Sequence, residues 1–162
     1  MIDVTVDSAA ACGASLTNTA EVTSNESDPN PDDNAASTDT TITCSAGLNI
    51  RPEEFPNRIW LSGGSRLVHV AILSSPSLDA PNDVDRTSLT FGHSGDENSL
   101  HRQGKDCWRN DVNNDGLLDL VCNFVIRRTD FLPSDTIGIL KGTLLDGTSF
   151  EAQDSVVIVV GS

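Results

Sequence analysis

The chain has 162 residues and a formal net charge of −14, with 37% apolar and only 4% aromatic residues. A surface this acidic repels nucleic acid and anionic lipid and attracts divalent cations, which argues against nucleic-acid partners. No apolar stretch approaches the length of a membrane span, since the longest, Val156 to Val160, fits one strand, and no membrane insertion is expected. No signal-peptide pattern is present, as in a mature segment.

In chain order, "IDVTVD" (2–7) alternates apolar and polar residues as a half-buried strand does. "LTNTAEVTS" (16–24) and "ASTDTTITC" (36–44) are rich in Thr and Val and read the same way. Between them "NESDPNPDDN" (25–34) sets two prolines among acids and amides and reads as a turn. The first 46 residues thus form a partial module of three strands. A second module, residues 47–162, begins with "GLNIRP", a short strand stopped by Pro52. "SRLVHVAILS" (65–74) and "TSLTFG" (87–92) are further strands, and "GDENSLHRQGKDCWRN" (95–110) reads as loop. "LLDLVCNFVIRR" (117–128) alternates, with Leu118, Leu120, Cys122, Phe124 and Ile126 on one face. "DTIGILKGTLLDG" (135–147) and "SFEAQDSVVIVVG" (149–161) complete the set, turning at Asp146-Gly147. Many short strands between Gly, Pro and Asp turns, with no capped amphipathic stretch, predict an all-β fold of antiparallel sandwich modules.

The charge is uneven. Residues 1–50 hold eight carboxylates and no Lys or Arg, whereas the remainder carries sixteen acids against ten bases. Acidic surfaces commonly serve solubility alone. "DVNNDGLLD" (111–119) has a more specific pattern. Hard divalent ions take oxygen ligands, and acids spaced two apart on a tight loop point at one centre. Asp111, Asn113 and Asp115 supply that spacing, Gly116 permits the sharp turn, Leu117 offers a backbone carbonyl and Asp119 stands ninth. This is the first three-quarters of the EF-hand loop pattern, with Cys122 where the twelfth-position acid would stand. No helix is expected on either side, so Asp119, water, or an acid such as Asp96, Glu97 or Asp106 must complete the coordination. The expectation is a structural Ca2+ site with a dissociation constant on the order of 10⁻⁴ to 10⁻³ M. The competing reading is a turn rich in Asp and Asn that caps itself. A second, weaker cluster is Asp28, Asp32, Asp33 and Asn34, for which a rigid proline turn suffices.

Four cysteines in a small chain point to disulfides rather than catalysis. Their spacing groups them as Cys12/Cys44 and Cys107/Cys122. Three pairings are formally possible, and the local one keeps each bridge within its own segment. None has the C-x-x-C spacing of zinc or thioredoxin-like sites. Disulfides and calcium together predict an extracellular or cell-surface location. His69, His93 and His101 lack metal-ligand spacing and read as hydrogen-bonded or solvated residues. No G-x-S-x-G, Cys–His or phosphate-cradling motif appears, and "SGGS" (62–65) precedes a strand. The chain is therefore expected not to be an enzyme; the hydrolase reading would need two acids of glycosidase type converging in a cleft. Asn25-Glu26-Ser27 is a glycosylation sequon, meaningful only in a secreted eukaryotic setting.

Two resemblances rest on these residues. "LTNTAEVTSNESDPNPDDNAASTDTTI" resembles the end of the Ig-like repeat domain of bacterial surface proteins, over residues 2–43. Residues 48–160 resemble an uncharacterised bacterial extracellular β-module, through "VHVAILSS", "TFG" and "DVNNDGLLDLVCNF". Asn123 stands where that module usually has His. The resemblances imply a β-rich, calcium-rigidified structural module of a surface or filament protein, partnered by neighbouring domains or by other copies of itself. The Ig-like part lacks its early strands, so an exposed sheet edge would invite β-strand addition by "IDVTVD" or "SVVIVV" of an adjacent subunit. The alternative is a module that binds or adheres to carbohydrate or protein, for which Trp60 and Trp108 are the available indoles.

Overall fold

In the computed structural model residues 15–23, 25–30, 33–41, 44–62 and 66–161 are described. The fold is all-β. Twelve strands occur among these residues: β1 (Ser15–Glu21), β2 (Ala35–Thr41), β3 (Cys44–Ser45), β4 (Gly47–Ile50), β5 (Arg58–Trp60), β6 (Leu67–Leu73), β7 (Thr90–Gly92), β8 (Trp108–Asn110), β9 (Asp119–Val125), β10 (Ile137–Thr143), β11 (Ser149–Ser155) and β12 (Val157–Val159). A single α-helical turn, α1 (Ala80–Asp83), and short 3₁₀ segments make up the helical content among the described residues. The chain divides into two compact units, residues 1–43 and 44–162, a boundary three residues before the expected one.

In the first unit β1 and β2 pair antiparallel, from Ser15 opposite Thr41 to Glu21 opposite Ala35. The half-buried pattern expected of "LTNTAEVTS" is absent, because every residue of β1 is exposed. Two strands of Thr, Ser, Asn and Ala have too little apolar surface to make a core of their own. The third expected strand, "IDVTVD", and Cys12 lie outside the described residues, so the Cys12/Cys44 pairing does too.

The second unit contains a four-stranded sheet ordered β4-β6-β9-β8 and another ordered β3-β11-β10-β7. Their facing side chains make one core, in which Phe91 of β7 meets Phe124 of β9 at 5.1 Å between ring centroids. Gly138 of β10 is required by this packing, since a Cβ there would lie 2.8 Å from Ile50 Cδ1. The chain passes between the sheets at buried Ala46, so β3 and β4 lie in different layers. Asp154 of β11 ties the layers together, accepting hydrogen bonds from the Ile50 amide and the Asn57 side chain, each at 2.9 Å. Its carboxylate satisfies a main-chain donor on the edge strand β4.

Several expectations are corrected. "TSLTFG" is a strand only from Thr90, because Asp85 caps a 3₁₀ turn over Arg86–Ser88. The 95–110 stretch contains a 3₁₀ turn at His101–Gly104 and the edge strand β8. Leu120, Cys122, Phe124 and Ile126 are buried as predicted, whereas Leu118 precedes the strand and is exposed. Val121, on the opposite face of β9, is also buried. The last segment breaks at buried Val156 into β11 and β12, and β12 pairs in parallel with β5. The "SVVIVV" strand is therefore already paired within its own module. The turn at Asp146-Gly147 forms where expected, between the Thr143 and Ser149 pair.

Candidate metal site

Residues 111–118 link β8 to β9, whose ladder runs Trp108 opposite Val121, Arg109 opposite Leu120 and Asn110 opposite Asp119. One step further along the pair, Cys107 and Cys122 form a disulfide. Cys122 is buried in the core, so the bridge fastens an edge strand to the interior of the module. Arg109 adds an outer tie, its Nη2 donating to Asn82 Oδ1 at 2.7 Å.

Within the loop the side-chain oxygens turn toward main-chain amides. The Asp115 amide donates to both Asp111 Oδ1 and Asn113 Oδ1, at 3.2 Å each. Asp111 Oδ2 accepts from the Gly116 amide at 3.0 Å, and Asp115 Oδ1 from the Leu117 amide at 2.8 Å. Asn113 Nδ2 donates to Asp115 Oδ2 at 2.8 Å. Left-handed backbone at Asn114 (φ 60°) and Gly116 (φ 89°) turns the chain tightly, and the Asp111 and Asn113 side-chain oxygens meet at the Asp115 amide. Asn tolerates that conformation and Gly adopts it without steric cost, which is why these residue types suit those positions.

Asp119 is different: it is fully buried. Its Oδ1 accepts from the Ser74 amide at 2.8 Å and its Oδ2 from the Val112 amide at 2.9 Å. Ser74 Oγ in turn donates to the Leu118 carbonyl at 2.7 Å. Asp119 thereby pins the start of the loop, at Val112, to the end of β6. Ser74 and Val112 carry no sequence signal for this role, because their contribution is a main-chain amide.

The donor set fits a hard cation in kind, being oxygen throughout. Each carboxylate oxygen that accepts one amide hydrogen bond retains a second acceptor position. Among the described residues no three His, Cys, Asp or Glu side chains are gathered to hold a metal by themselves. An ion at this loop therefore depends on the Asn113 amide oxygen, the Leu117 carbonyl and water beside the acids. The outlying acids weighed for this role are engaged elsewhere. Asp96 pairs with Lys141 at 2.9 Å, and Asp106 receives His101 at 2.6 Å. Glu97 accepts from the amide and hydroxyl of Ser94 and the amide of Gly95. Burial pushes the Glu97 carboxyl up, but the Ser94 and Gly95 donors outweigh it and hold the group below its ordinary value.

The three histidines are apart, each beside its own carboxylate: His69 with Glu53, His93 with Asp135 and His101 with Asp106. In the 25–34 segment Asp28 accepts from the Asn30 amide and from Asn34 Nδ2, while Asn30 Nδ2 donates to Asp33. Those donors, the Asn30 amide foremost, hold the Asp28 carboxyl below its usual range, and Asp32 lies outside the described residues. Trp60 and Trp108 are both partly exposed, and Trp108 meets His69 edge to face at 5.3 Å. Asn123, opposite His69 in the ladder, has a buried Oδ1 that accepts no hydrogen bond from the described residues. Comparison with protein-family models, with curated proteins and with solved structures gives no match, so the reading of this loop rests on its own geometry.

Proposed function

We propose that this chain is a structural module of a secreted or cell-surface protein, stiffened by Ca2+ at the β8–β9 loop and by disulfide bonding, and not an enzyme. The observation that supports the reading is the tight turn that sets the oxygen-bearing side chains of Asp111, Asn113 and Asp115 around the Asp115–Leu117 amides, in a loop whose ends are fixed. The Cys107–Cys122 bond fits an oxidising location outside the cytosol. Asp111, Asn113, Asp115, the Leu117 carbonyl and Asp119 would be the protein ligands, and the ion would offset repulsion among the acids. Titration calorimetry with CaCl2, and melting in CaCl2 against EDTA, tests this. Heat of binding and a higher melting temperature in calcium are expected, and identical melting with no heat ends the calcium reading.

Assembly with other copies or neighbouring domains by strand addition belongs to the same structural role. The strand donor would be "IDVTVD" or "SVVIVV", the latter containing β12, which pairs with β5 along one edge. Sedimentation with and without chelator tests it, and a monomer indifferent to calcium argues against it. A second reading, an adhesion module for carbohydrate or protein, draws on the partly exposed Trp108 beside His69. Quenching of tryptophan fluorescence by a glycan panel, lost in Trp108→Ala, would favour it.

A further inference from the structure

We propose that the open edge of β12 receives the "IDVTVD" segment, residues 2–7, of a second copy of this chain, so that copies join by main-chain pairing there. The inference rests on the assembly reading above and names both the acceptor edge and the donor.

Among the described residues β12 and β5 make a two-stranded parallel sheet with no third strand. Alternate residues of a strand turn both main-chain groups to the same side. The Val157 amide and the Val159 carbonyl face β5, bonding the Asn57 carbonyl and the Leu61 amide. Ile158, and Val160 after it, therefore turn their amides and carbonyls to the other side, where no group among the described residues bonds them. Other sheet edges of the module are covered or charged. The Ile50 amide of β4 donates to Asp154, and the Arg58 carbonyl of β5 accepts from Arg51 Nη1 at 2.7 Å. The Phe91 amide of β7 donates to the Glu97 carbonyl, and β8 carries Arg109. Residues 155–161 contain neither a charge nor a proline, and Val157, Val160 and the neighbouring strand's Trp60 are exposed. An uncharged, β-branched edge left open is the kind that takes up another strand.

The donor is chosen by pattern and charge. Ile2, Val4 and Val6 alternate with Asp3, Thr5 and Asp7, and seven small residues, 8–14, separate the segment from β1. Laid beside β12, its apolar side continues the row of Ile59 and Ile158, which pack on the core. Its acidic side then continues the row of Arg58 and Trp60. Arg58 is the available cation of that row, because Glu54, 3.6 Å from it, is paired with Arg51 as well. A slip of one residue would set Asp3 and Asp7 on the apolar side, so the alternation fixes the register. A second β12 in the same place would bring no countercharge to Arg58. Surface pairs of this kind add little affinity, and they select the partner. The contact joins unlike surfaces, so it repeats from copy to copy as an open chain.

Two measurements on the full chain test this: sedimentation velocity over a concentration series, and amide hydrogen exchange followed residue by residue by NMR. Association should grow with concentration, and the Ile158 and Val160 amides should gain protection as it does. Asp3→Lys together with Asp7→Lys should weaken association by about tenfold, since like charges then face each other across the strands. Adding Arg58→Glu to that variant should restore most of the loss, with circular dichroism unchanged throughout. A chain that stays monomeric across the series removes the assembly reading and this inference with it. Association that leaves the Ile158 and Val160 amides exchanging freely keeps the assembly reading and overturns β12 as the acceptor. Protection of those amides already in the dilute monomer overturns the second copy as the source of the strand. Protection on association that the two lysines leave unchanged means that β12 pairs with another β12, which overturns the donor.

Discussion

The two acidic loops of this chain, residues 25–34 and 111–119, are similar in composition, and the structure treats them differently. In the first, Asp28 and Asp33 are met by Asn34 and Asn30, and the knot closes a hairpin whose strand β1 is exposed throughout. In the second, the acids are met chiefly by main-chain amides, and the loop is held by a disulfide on one side and a buried carboxylate on the other. In both loops each oxygen of Asp28, Asp111 and Asp115 accepts one hydrogen bond and keeps a second acceptor position. The difference lies in how the ends are held: the first loop closes a hairpin with no buried residue in β1, and the second is tied by the disulfide and by Asp119 to a sheet that has a core.

The largest expected effect breaks the anchoring. Asp119→Ala leaves the buried Ser74 amide and the Val112 amide without their acceptor and should cost about 2–3 kcal/mol, read from the urea midpoint. The matching change in the first loop, Asp28→Ala, should leave the melting of the sandwich where it was, because Asp28 supports only its own turn. Next comes the ion. With CaCl2 at about ten times the dissociation constant, the sandwich should gain about 1.4 kcal/mol, a gain that Asp111→Asn or Asp115→Asn removes. Gly116→Ala sharpens the comparison further: a Cβ there meets no atom within 4 Å, so its cost, about 1 kcal/mol, is backbone strain alone. Loss of calcium binding in that variant, without unfolding by circular dichroism, would separate loop shape from loop charge.

The smallest effect is one of pH. The Glu97 carboxyl is held below its ordinary value, so its contribution is present above the unfolded-state pKa and disappears as pH falls through the lower, folded value. Acid titration of stability should therefore lose part of its slope in Glu97→Gln. The same slope in both proteins would mean that the Ser94 and Gly95 hydrogen bonds add nothing to folding.

Much of the second unit was legible because its strands carry the period of a sheet with one buried face. Leu120, Cys122, Phe124 and Ile126 alternate in the sequence and line the core in the structure. The Asp-x-Asn-x-Asp-Gly spacing likewise marked the loop and required the left-handed glycine that is found there. Strands β5 and β8 were not legible. Each is three residues long, too short for any period to register. The exposure of β1 was missed for the opposite reason: alternation was present in the sequence, but no second layer among the described residues takes up one of its faces.

By itself, then, the sequence determined an all-β chain, the position of its acidic loop and the segment in which Cys107 and Cys122 pair. Local pattern suffices for those, because strand period, turn chemistry and short-range cysteine spacing act over a few residues. Only the tertiary structure decided that Asp119 is an anchor buried against β6, that Asp96, Glu97 and Asp106 serve other partners, and that β12 pairs with β5. The partners of Asp119, Asp96 and β12 arrive from 45 to 99 residues away, a distance of which a local pattern carries no record, whereas Glu97 and Asp106 are taken by groups two to five residues away in a loop without a period to read.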